Sequence, residues 1–221
     1  MDRVNLTIND VSLAAVLSEF AGAPVFVASG GFIATDSPFP QEQQLAANAV
    51  ASRRAEFFSG RHFARLALRQ INCADAPILR GEKGNPLWPE NVLGSISHDL
   101  EHVVVAVTAA GSLRGFGLDL VLDPARVDSS LEYLIARSEE LNLLYRFAPD
   151  APALALVFSL KESVVKALSP SIDRYLDFMD MELSLKDGRL STYVKDFDLS
   201  LPCGFISLPN GLLTFALLEK Q

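Results

Sequence analysis

The chain has 221 residues, with 19 Lys and Arg against 27 Asp and Glu, which gives a formal net charge of -8 at pH 7. Apolar residues make up 49% and charged residues 21%, a balance that excludes a disordered chain and predicts a globular protein with a core. The acidic excess argues against a general nucleic-acid-binding protein, because such proteins normally carry a basic excess.

Two further features bear on compartment and membrane association. The two cysteines, Cys73 and Cys203, cannot build a disulfide framework, and reduced thiols predict a cytoplasmic protein. Asp10 and Glu19 interrupt the long apolar stretch near the N-terminus, so we expect neither a signal peptide nor a membrane span.

The first half of the sequence predicts helices followed by strands. Apolar residues recur at helical spacing between residues 41 and 70, with Gly60 as the expected break between two helices. A loop rich in Pro and Gly follows, and after it come two runs rich in β-branched residues. The predicted elements are helices over 11–21 and 41–70 and strands over 25–28, 92–97 and 102–108.

The second half ends in two hairpin signals, Asp187-Gly188 and Asn210-Gly211. The predicted elements are a strand over 117–122, helices over 129–147 and 154–168, and hairpins over 181–194 and 205–218. The order of helix and then strands therefore occurs twice. This pattern predicts an α+β fold with helices packed on antiparallel sheet, in two halves over 1–113 and 114–221.

Residues 51–83 form a basic segment within this acidic chain. Seven basic residues minus three acidic ones give a local charge of +4. Arg53 and Arg61 are eight positions apart and share one face of a continuous helix, and arginine suits the recognition of phosphate. A solvated helix face is the alternative interpretation. The basic residues are Arg53, Arg54, Arg61, Arg65, Arg69, Arg80 and Lys83.

Several polar residues lie within apolar strands and helices, where burial of a polar group costs free energy. Ser97 and His98 close an apolar strand, a position where sites are often built, although a capped strand end is the alternative. Asp119 lies inside an apolar strand, where a carboxylate is costly unless it is paired or binds a cation. The apolar helix after residue 153 carries Lys161, Glu162 and Lys166. Glu162 and Lys166 are also spaced for a simple helical salt bridge.

Together these features indicate a ligand that carries several phosphates. Asp119 and Glu162 could hold a hard cation, and Mg²⁺ prefers one or two carboxylates together with phosphate oxygens of the substrate. The arginines and His98 could hold the phosphates themselves. The sequence contains no Walker loop, kinase motif or dinucleotide glycine fingerprint.

Five stretches of the sequence resemble the 4′-phosphopantetheinyl transferases of the surfactin and enterobactin type, and they occur in the order and spacing typical of that family. The similarity is greatest to the bacterial enterobactin-component branch. The five stretches cover about residues 50 to 168. The stretches are Arg53-Arg54-Ala55-Glu56-Phe57 with Gly60-Arg61-His62-Phe63-Ala64-Arg65, Pro77-Ile78-Leu79-Arg80-Gly81-Glu82-Lys83-Gly84 with Pro86-Leu87-Trp88-Pro89, Gly94-Ser95-Ile96-Ser97-His98, Gly117-Leu118-Asp119, and Phe158-Ser159-Leu160-Lys161-Glu162-Ser163 with Lys166-Ala167.

The resemblance implies an enzyme that moves the 4′-phosphopantetheine arm of coenzyme A onto a serine of an apo acyl or peptidyl carrier protein. Adenosine 3′,5′-bisphosphate would be released in a Mg²⁺-dependent reaction. It also implies two similar α/β halves about a pseudo-twofold axis, with the active site and coenzyme A in the cleft between them. We expect a monomer that binds neither nucleic acid nor membrane, with a role in secondary metabolism such as siderophore biosynthesis.

The resemblance also implies roles for individual residues. Asp119 and Glu162 would hold Mg²⁺, and Lys161 and Lys166 would neutralise the pyrophosphate. Glu162 is the first choice for the base that accepts the serine proton, with a metal-bound water, Glu139 or Glu140 as alternatives. The residues expected to bind the coenzyme A phosphates are Arg53, Arg61, Arg80 and His98, with Ser97 of the same motif and with Lys83 as a second candidate in the loop of Arg80.

Two positions depart from the pattern of the family. Arg80 stands where many relatives have Lys, which keeps the charge but changes its geometry. Val121 stands where many relatives have an acid that helps to hold the metal. Residues 119 and 121 of a strand point to the same face, so the sequence predicts a metal site with only two protein carboxylates.

Two other functions are alternatives to this transferase. A serine hydrolase built on Ser97, His98 and Asp119 lacks the Gly-x-Ser-x-Gly elbow, and adjacent strand residues point to opposite faces. A decayed transferase, marked by Val121, would bind coenzyme A or a carrier protein without turnover. For either transferase reading, residues 127–145 and the loop before Leu154 are the candidates for carrier docking, because two acidic proteins need an apolar or basic patch to associate.

Overall fold

The computed structural model describes residues 9–220. The chain divides into two compact units, the first ending at Gly111 and the second beginning at Ser112. Among the described residues, no helix is both long enough and apolar enough to cross a bilayer.

The first unit is a three-stranded antiparallel sheet with helices. Its helices are Asp10–Ala21 (α1), Pro40–Leu45 (α2) and Ala51–Gln70 (α3), and its strands are Val25–Gly31 (β1), Val92–Asp99 (β2) and His102–Ala109 (β3). The strand order is β1-β3-β2, so the last strand lies in the middle. Val103, Val105 and Val107 alternate along β3 and bury their side chains against Phe63 and Ala67 of α3.

The predicted break at Gly60 is wrong, because α3 runs unbroken from Ala51 to Gln70. The interruption lies earlier, between α2 and α3, over residues 46–50. A Cβ at Gly60 would lie 3.1 Å from Cγ2 of Ile96 on β2. This glycine therefore allows close packing of helix on sheet, and it remains inside the helix because tertiary packing offsets its low propensity.

The second unit is a five-stranded antiparallel sheet with the order β4-β8-β7-β6-β5. Its helices are Glu132–Ile135 (α4), Ser138–Phe147 (α5) and Ala153–Leu168 (α6), accompanied by short 3-10 turns. Its strands are Leu113–Val121 (β4), Met181–Lys186 (β5), Arg189–Val194 (β6), Leu199–Leu208 (β7) and Gly211–Glu219 (β8). Both predicted hairpins are present, as β5–β6 and β7–β8.

The single helix predicted over residues 129–147 is wrong. The chain instead forms a 3-10 turn at Ser129–Leu131, then α4, then α5. Ala136 and Arg137 have extended backbone between the two α-helices. The carboxylate of Glu140 accepts the N–H of Arg137 at 2.8 Å, and this contact starts α5 as a new helix.

Helix α6 lies directly on strand β4 because two glycines of the strand have no side chains. A Cβ at Gly117 would lie 1.8 Å from the carbonyl oxygen of Ser163, and one at Gly115 would lie 2.0 Å from that of Ala167. Asp119 follows on the same face of the strand. The contact therefore brings the Asp119 carboxylate to the polar residues of α6.

The two units share one topology. In each, a first strand is followed by a long helix and then by a hairpin whose last strand returns to pair with the first. The second unit adds the hairpin β5–β6 at the far edge of its sheet. The predicted α+β class is confirmed, and the similarity of the halves, which the sequence shows only as element order, is visible in the strand pairing.

Candidate active site

The first unit contains a pocket of about 460 Å³ that is lined by α3, β2 and the loop after Leu79. This loop is closed by an isolated antiparallel bridge between Arg80 and Pro86. The pocket brings together four of the residues that the sequence identified. The polar lining residues are Arg53, Glu56, Arg61, Arg80 and His98.

Arg61 is the most constrained cation of the pocket. Its Nε donates to the carbonyl oxygen of Ile78 at 3.1 Å, and its guanidinium lies 4.2 Å from the ring centroid of Phe57. The side chain is buried, and its Nη2 has no hydrogen-bond partner within the described part of the chain. Burial lowers the pKa of Arg61 to about 10, so it remains a cation at neutral pH. A buried unsatisfied donor of this kind is expected where a ligand supplies the acceptor.

The carboxylate of Glu56 lies close to two other polar residues of the pocket. Glu56 accepts a hydrogen bond from Arg53 at 2.7 Å and lies 3.9 Å from Nε2 of His98. Arg80 is exposed, and its charge lowers the pKa of Arg61 further. Three guanidinium groups thus face one carboxylate, which leaves the pocket cationic and suited to an anion with several phosphates.

Apolar side chains complete the lining of the pocket. They come from the end of α2 and the residues after it, from α3, from β2 and from the loop after Leu79. A pocket lined by both cationic and apolar side chains fits a ligand that joins phosphates to a flat, weakly polar group. The apolar lining residues are Leu45, Ala46, Ala49, Phe57, Pro86 and Ile96.

In the second unit, Asp119 lies at the contact between β4 and α6. Its Oδ1 accepts a hydrogen bond from Nζ of Lys166 at 2.6 Å, and its Oδ2 accepts one from Oγ of Ser159 at 2.8 Å. Lys166 also donates to the carbonyl oxygen of Leu118 at 3.0 Å. The buried carboxylate is therefore fixed in position by two side chains of the helix.

Glu162 lies one turn before Lys166 on the same helix. Burial and the negative charge of Asp119 raise the pKa of Glu162, and Lys166 opposes them. A divalent cation bound between two carboxylates would relieve this repulsion between like charges. The donor set of two carboxylates fits Mg²⁺, which is commonly held by one or two carboxylates and by substrate phosphates.

Neither a third acid nor a histidine joins this pair. In the described residues, no group of three or more His, Cys, Asp and Glu side chains is placed to hold a metal. Val121, on the same face of β4 as Asp119, is 7% exposed and packs in the apolar core of the second unit.

Lys161 is placed differently from Lys166. Its ammonium donates to Glu140, to the carbonyl oxygen of Ile135 and to the carbonyl oxygen of Phe178, each at 2.9 Å. An ammonium has three protons, so these contacts use its whole donor capacity. With the side chain 1% exposed, the role predicted for Lys161 at the pyrophosphate is replaced by a structural one.

The same contacts remove Glu140 as an alternative base, because its carboxylate is buried and paired. Glu139 is exposed on the first turn of α5. Ser97 is buried on the face of β2 opposite His98, and Lys83 is exposed in the loop after Arg80. Neither of these last two residues lines the pocket.

Three residues that contact the site residues were not predicted from the sequence, namely Glu56, Ser159 and Thr214. Glu56 and Ser159 both lie inside the stretches that resemble the family, but the sequence does not show which side chains they contact. Thr214 bonds to Ser159 from a strand 55 positions further along, and no local pattern marks it.

Comparisons with known proteins identify the family of this chain. A family model described as the 4′-phosphopantetheinyl transferase N-terminal domain matches residues 41–108. A second, described as the 4′-phosphopantetheinyl transferase superfamily, matches residues 115–203. The two matches fall in the first and second unit respectively.

Three similar proteins carry related names. The chain is 31% identical to 4′-phosphopantetheinyl transferase PptT of Mycobacterium tuberculosis, over 68% of this chain and 66% of that protein. It is 32% identical to 4′-phosphopantetheinyl transferase Npt of Nocardia iowensis, over 67% of this chain and 68% of that protein. It is 33% identical to enterobactin synthase component D of Salmonella typhimurium, over 57% of this chain and 52% of that protein. The matched region thus spans half to two thirds of each relative.

Proposed function

This chain belongs to the 4′-phosphopantetheinyl transferase superfamily, and from that premise we propose that it transfers the 4′-phosphopantetheine group of coenzyme A to a serine of an apo carrier protein. Adenosine 3′,5′-bisphosphate is the other product. Coenzyme A presents an adenine, a 3′-phosphate and a pyrophosphate, and the cationic and apolar side chains that line the pocket are suited to a flat ring joined to several phosphates.

The observation that carries this proposal is the buried Nη2 of Arg61 without a partner among the described residues. A buried donor left unsatisfied costs about 1–3 kcal/mol, and more when it is charged. A phosphate oxygen would remove this cost and bring a negative charge into a cationic pocket. Arg53, Arg80 and His98 line the same pocket and are the proposed partners of the remaining phosphate oxygens on the adenosine side.

We assign Asp119 and Glu162 as the residues that hold Mg²⁺, because they are carboxylates on two elements in close contact, β4 and α6, and burial together with the charge of Asp119 raises the pKa of Glu162. When bound, Mg²⁺ would neutralise charge on the pyrophosphate oxygens. Lys166 is only partly buried, and its ammonium supplies a further positive charge beside Asp119.

In the proposed reaction, the serine oxygen forms a bond to the phosphorus next to pantetheine. The bond from that phosphorus to the bridging oxygen breaks, and adenosine 3′,5′-bisphosphate leaves with the electron pair. Glu162 is the proposed acceptor of the serine proton. A carboxylate that holds Mg²⁺ is a weaker base, so a metal-bound water is the alternative acceptor of this proton.

Exposed apolar side chains support the proposal that residues 127–145 contact the carrier protein. Tyr133 is 70% exposed and Tyr145 is 59% exposed, with Leu131 and Leu134 exposed nearby. A chain with a net charge of -8 gains little from electrostatic attraction to an acidic carrier. An apolar contact avoids that repulsion.

The direct test incubates the purified protein with coenzyme A, Mg²⁺ and an apo carrier protein and then measures the mass of the carrier. The expected result is a carrier that gains one phosphopantetheine, and a carrier of unchanged mass would overturn the proposal. Coenzyme A binding without any transfer would favour the second candidate function, a decayed transferase, which the apolar Val121 suggests.

The matched variants are Arg61→Gln and Arg69→Gln. Both lie on α3, but Arg69 is exposed, pairs with Asp75 and does not line the pocket. We expect Arg61→Gln to weaken coenzyme A binding at least tenfold in a calorimetric titration, because loss of a charged hydrogen bond to a buried partner costs about 1.5–3 kcal/mol. Arg69→Gln should bind as the unchanged protein does.

A further inference from the structure

Three side chains from two strands and one helix form a buried chain of hydrogen bonds that ends at Asp119. Oγ of Ser159 lies 2.8 Å from Oδ2 of Asp119 and 2.9 Å from Oγ1 of Thr214. Oγ1 of Thr214 also lies 2.7 Å from the carbonyl oxygen of Ser159. The side chains of Ser159 and Thr214 are fully buried.

The direction of these hydrogen bonds follows from the ionised state of Asp119. An ionised carboxylate accepts hydrogen bonds and cannot donate them, so the Ser159 hydroxyl donates to Asp119 and its oxygen acts only as an acceptor. The Thr214 hydroxyl has one proton, which it donates to the carbonyl oxygen of Ser159 at 2.7 Å or shares with the hydroxyl oxygen of Ser159 at 2.9 Å. In either case Thr214 donates towards Ser159, and Ser159 donates to Asp119.

The fold produces this geometry directly. Thr214 of β8 is the register partner of Asp119 on β4, so the two residues lie opposite each other in the sheet. Ser159 comes from α6, which approaches β4 closely over Gly115 and Gly117. Sheet register and helix packing thus bring Thr214 to Ser159 and Ser159 to Asp119.

We propose that Ser159 and Thr214 are positioning residues that orient Asp119 for the binding of a divalent cation. The inference rests on the proposed function in one respect, the assignment of Asp119 as a metal-binding residue. Lys166 contacts one carboxylate oxygen and Ser159 the other, and together they restrain rotation of the carboxylate about its last torsion. An oxygen of an ionised carboxylate accepts more than one contact, so the two bonds are compatible with coordination.

Positioning matters more here than in a site with three acids. With Val121 in place of a third carboxylate, each of the two acids supplies a larger share of the protein's affinity for the cation. Partners that orient metal-binding side chains typically account for about 10- to 100-fold in metal affinity or activity. Ser159 is the group that could supply such an effect through Asp119.

The test compares Ser159→Ala with Ser163→Ala. Both variants remove a buried hydroxyl from α6, but the Ser163 hydroxyl bonds to the carbonyl oxygen of Leu160 on its own helix and does not reach Asp119. Binding of Mn²⁺ is measured in the presence of coenzyme A, and electron paramagnetic resonance reports the concentration of the unbound ion. Circular dichroism confirms that each variant is folded.

We expect Ser159→Ala to weaken Mn²⁺ binding about 10- to 100-fold, and Ser163→Ala to leave it within twofold of the unchanged protein. Thr214→Val, which keeps the shape and removes the hydroxyl, should weaken binding less than Ser159→Ala but in the same direction. It also keeps the inference testable if Ser159→Ala does not fold. The inference would be overturned if folded Ser159→Ala bound Mn²⁺ with the affinity of the wild-type protein. If Ser159→Ala does not fold, wild-type affinity in Thr214→Val would overturn it.

The outcome separates this inference from the proposed function. If the unchanged protein labels a carrier but folded Ser159→Ala binds Mn²⁺ normally, the positioning role fails and the transferase stands. If the unchanged protein does not label a carrier but Ser159→Ala still weakens Mn²⁺ binding, the transferase fails and the positioning role stands.

Discussion

Lys161 donates its ammonium to Glu140 at 2.9 Å, and both side chains are only 1% exposed. Glu140 also accepts the N–H of Leu183 at 2.8 Å. The first unit contains the same arrangement, in which Arg65 of α3 pairs with the buried Glu42 of α2 at 2.7 Å. Glu42 in turn accepts the N–H of Ile78 at 2.7 Å. In both units, a cation on the long helix pairs with a buried glutamate on the shorter helix before it. The same glutamate accepts a backbone N–H from a segment later in the chain, Ile78 in the first unit and Leu183 in the second.

The first prediction contrasts the two lysines of α6. Lys161→Met should lower the free energy of unfolding by about 3–5 kcal/mol, because it leaves Glu140 buried without its counter-charge. Lys166→Met also removes the counter-charge of a buried carboxylate, but its pair with Asp119 is partly open to solvent, so it should cost less stability than Lys161→Met and should remove most of the transfer activity. Urea unfolding and carrier labelling measure the two effects. Equal destabilisation by both variants would contradict the assignment.

The second prediction concerns the two acids. Asp119→Ala or Glu162→Ala should remove transfer to the carrier while the fold is retained, because each takes away half of the proposed carboxylate pair. Labelling is measured at saturating Mg²⁺, with circular dichroism as the control for folding. Near-normal labelling by either variant would show that the site has been assigned to the wrong residues.

The third prediction concerns Val121. Val121→Glu places an acid on the face of β4 that Asp119 occupies, so half-maximal activity should need less Mg²⁺. The buried carboxylate costs stability without metal, and added Mg²⁺ should therefore raise the melting temperature of this variant more than that of the unchanged protein. Val121→Gln is the uncharged control. An unchanged metal requirement would count against a two-acid site.

The fourth prediction concerns Cys203 and pH. Burial raises the pKa of the Cys203 thiol to about 12 from a usual value of 9.0. The unfolded chain loses this proton first as the pH rises, so the thiol's contribution to stability is complete below pH 9 and is lost progressively between pH 9 and 12. Urea unfolding at pH 8 and pH 10.5 measures this loss, and the pH dependence should be weaker in Cys203→Ala.

The fifth prediction concerns the exposed tyrosines of residues 127–145. Tyr133→Ser together with Tyr145→Ser should raise the KM for the carrier protein severalfold and leave coenzyme A binding unchanged, because only the protein contact loses apolar area. Tyr175→Ser is the matched control, since Tyr175 is 97% exposed and lies outside this region. A KM for the carrier that is unaffected by the double variant would exclude this surface as the docking site.

Most elements of the fold could be predicted from the sequence, since apolar spacing and turn residues mark the helices, strands and hairpins. The exceptions have tertiary causes. Gly60 looks like a helix break, but its missing side chain makes room for Ile96 of β2. Residues 129–147 look like one helix, but Arg137 adopts extended backbone and donates from its side chain to the carbonyl oxygens of Met179 and Met181.

The site was predictable as a set of residue types and less so as a geometry. Sequence spacing places Lys161 and Lys166 on one helix, and it predicts the same role at the pyrophosphate for both. Only packing shows that α5 and the segment after Asp177 cover the first and leave the second partly exposed. Thr214 could not be found at all, because its contact with Ser159 depends on the register of two strands far apart in the chain.

The return of the last strand to the first has a consequence for how each unit forms during synthesis. Leu113 pairs with Glu219, and Val25 pairs with Thr108, so each sheet is completed only when its final strand has left the ribosome. Pairing between residues so distant in sequence slows folding. The emerging chain therefore exposes the apolar faces of β1 and then of β4 for the time that translation takes to reach their partners, and aggregation is favoured during that interval.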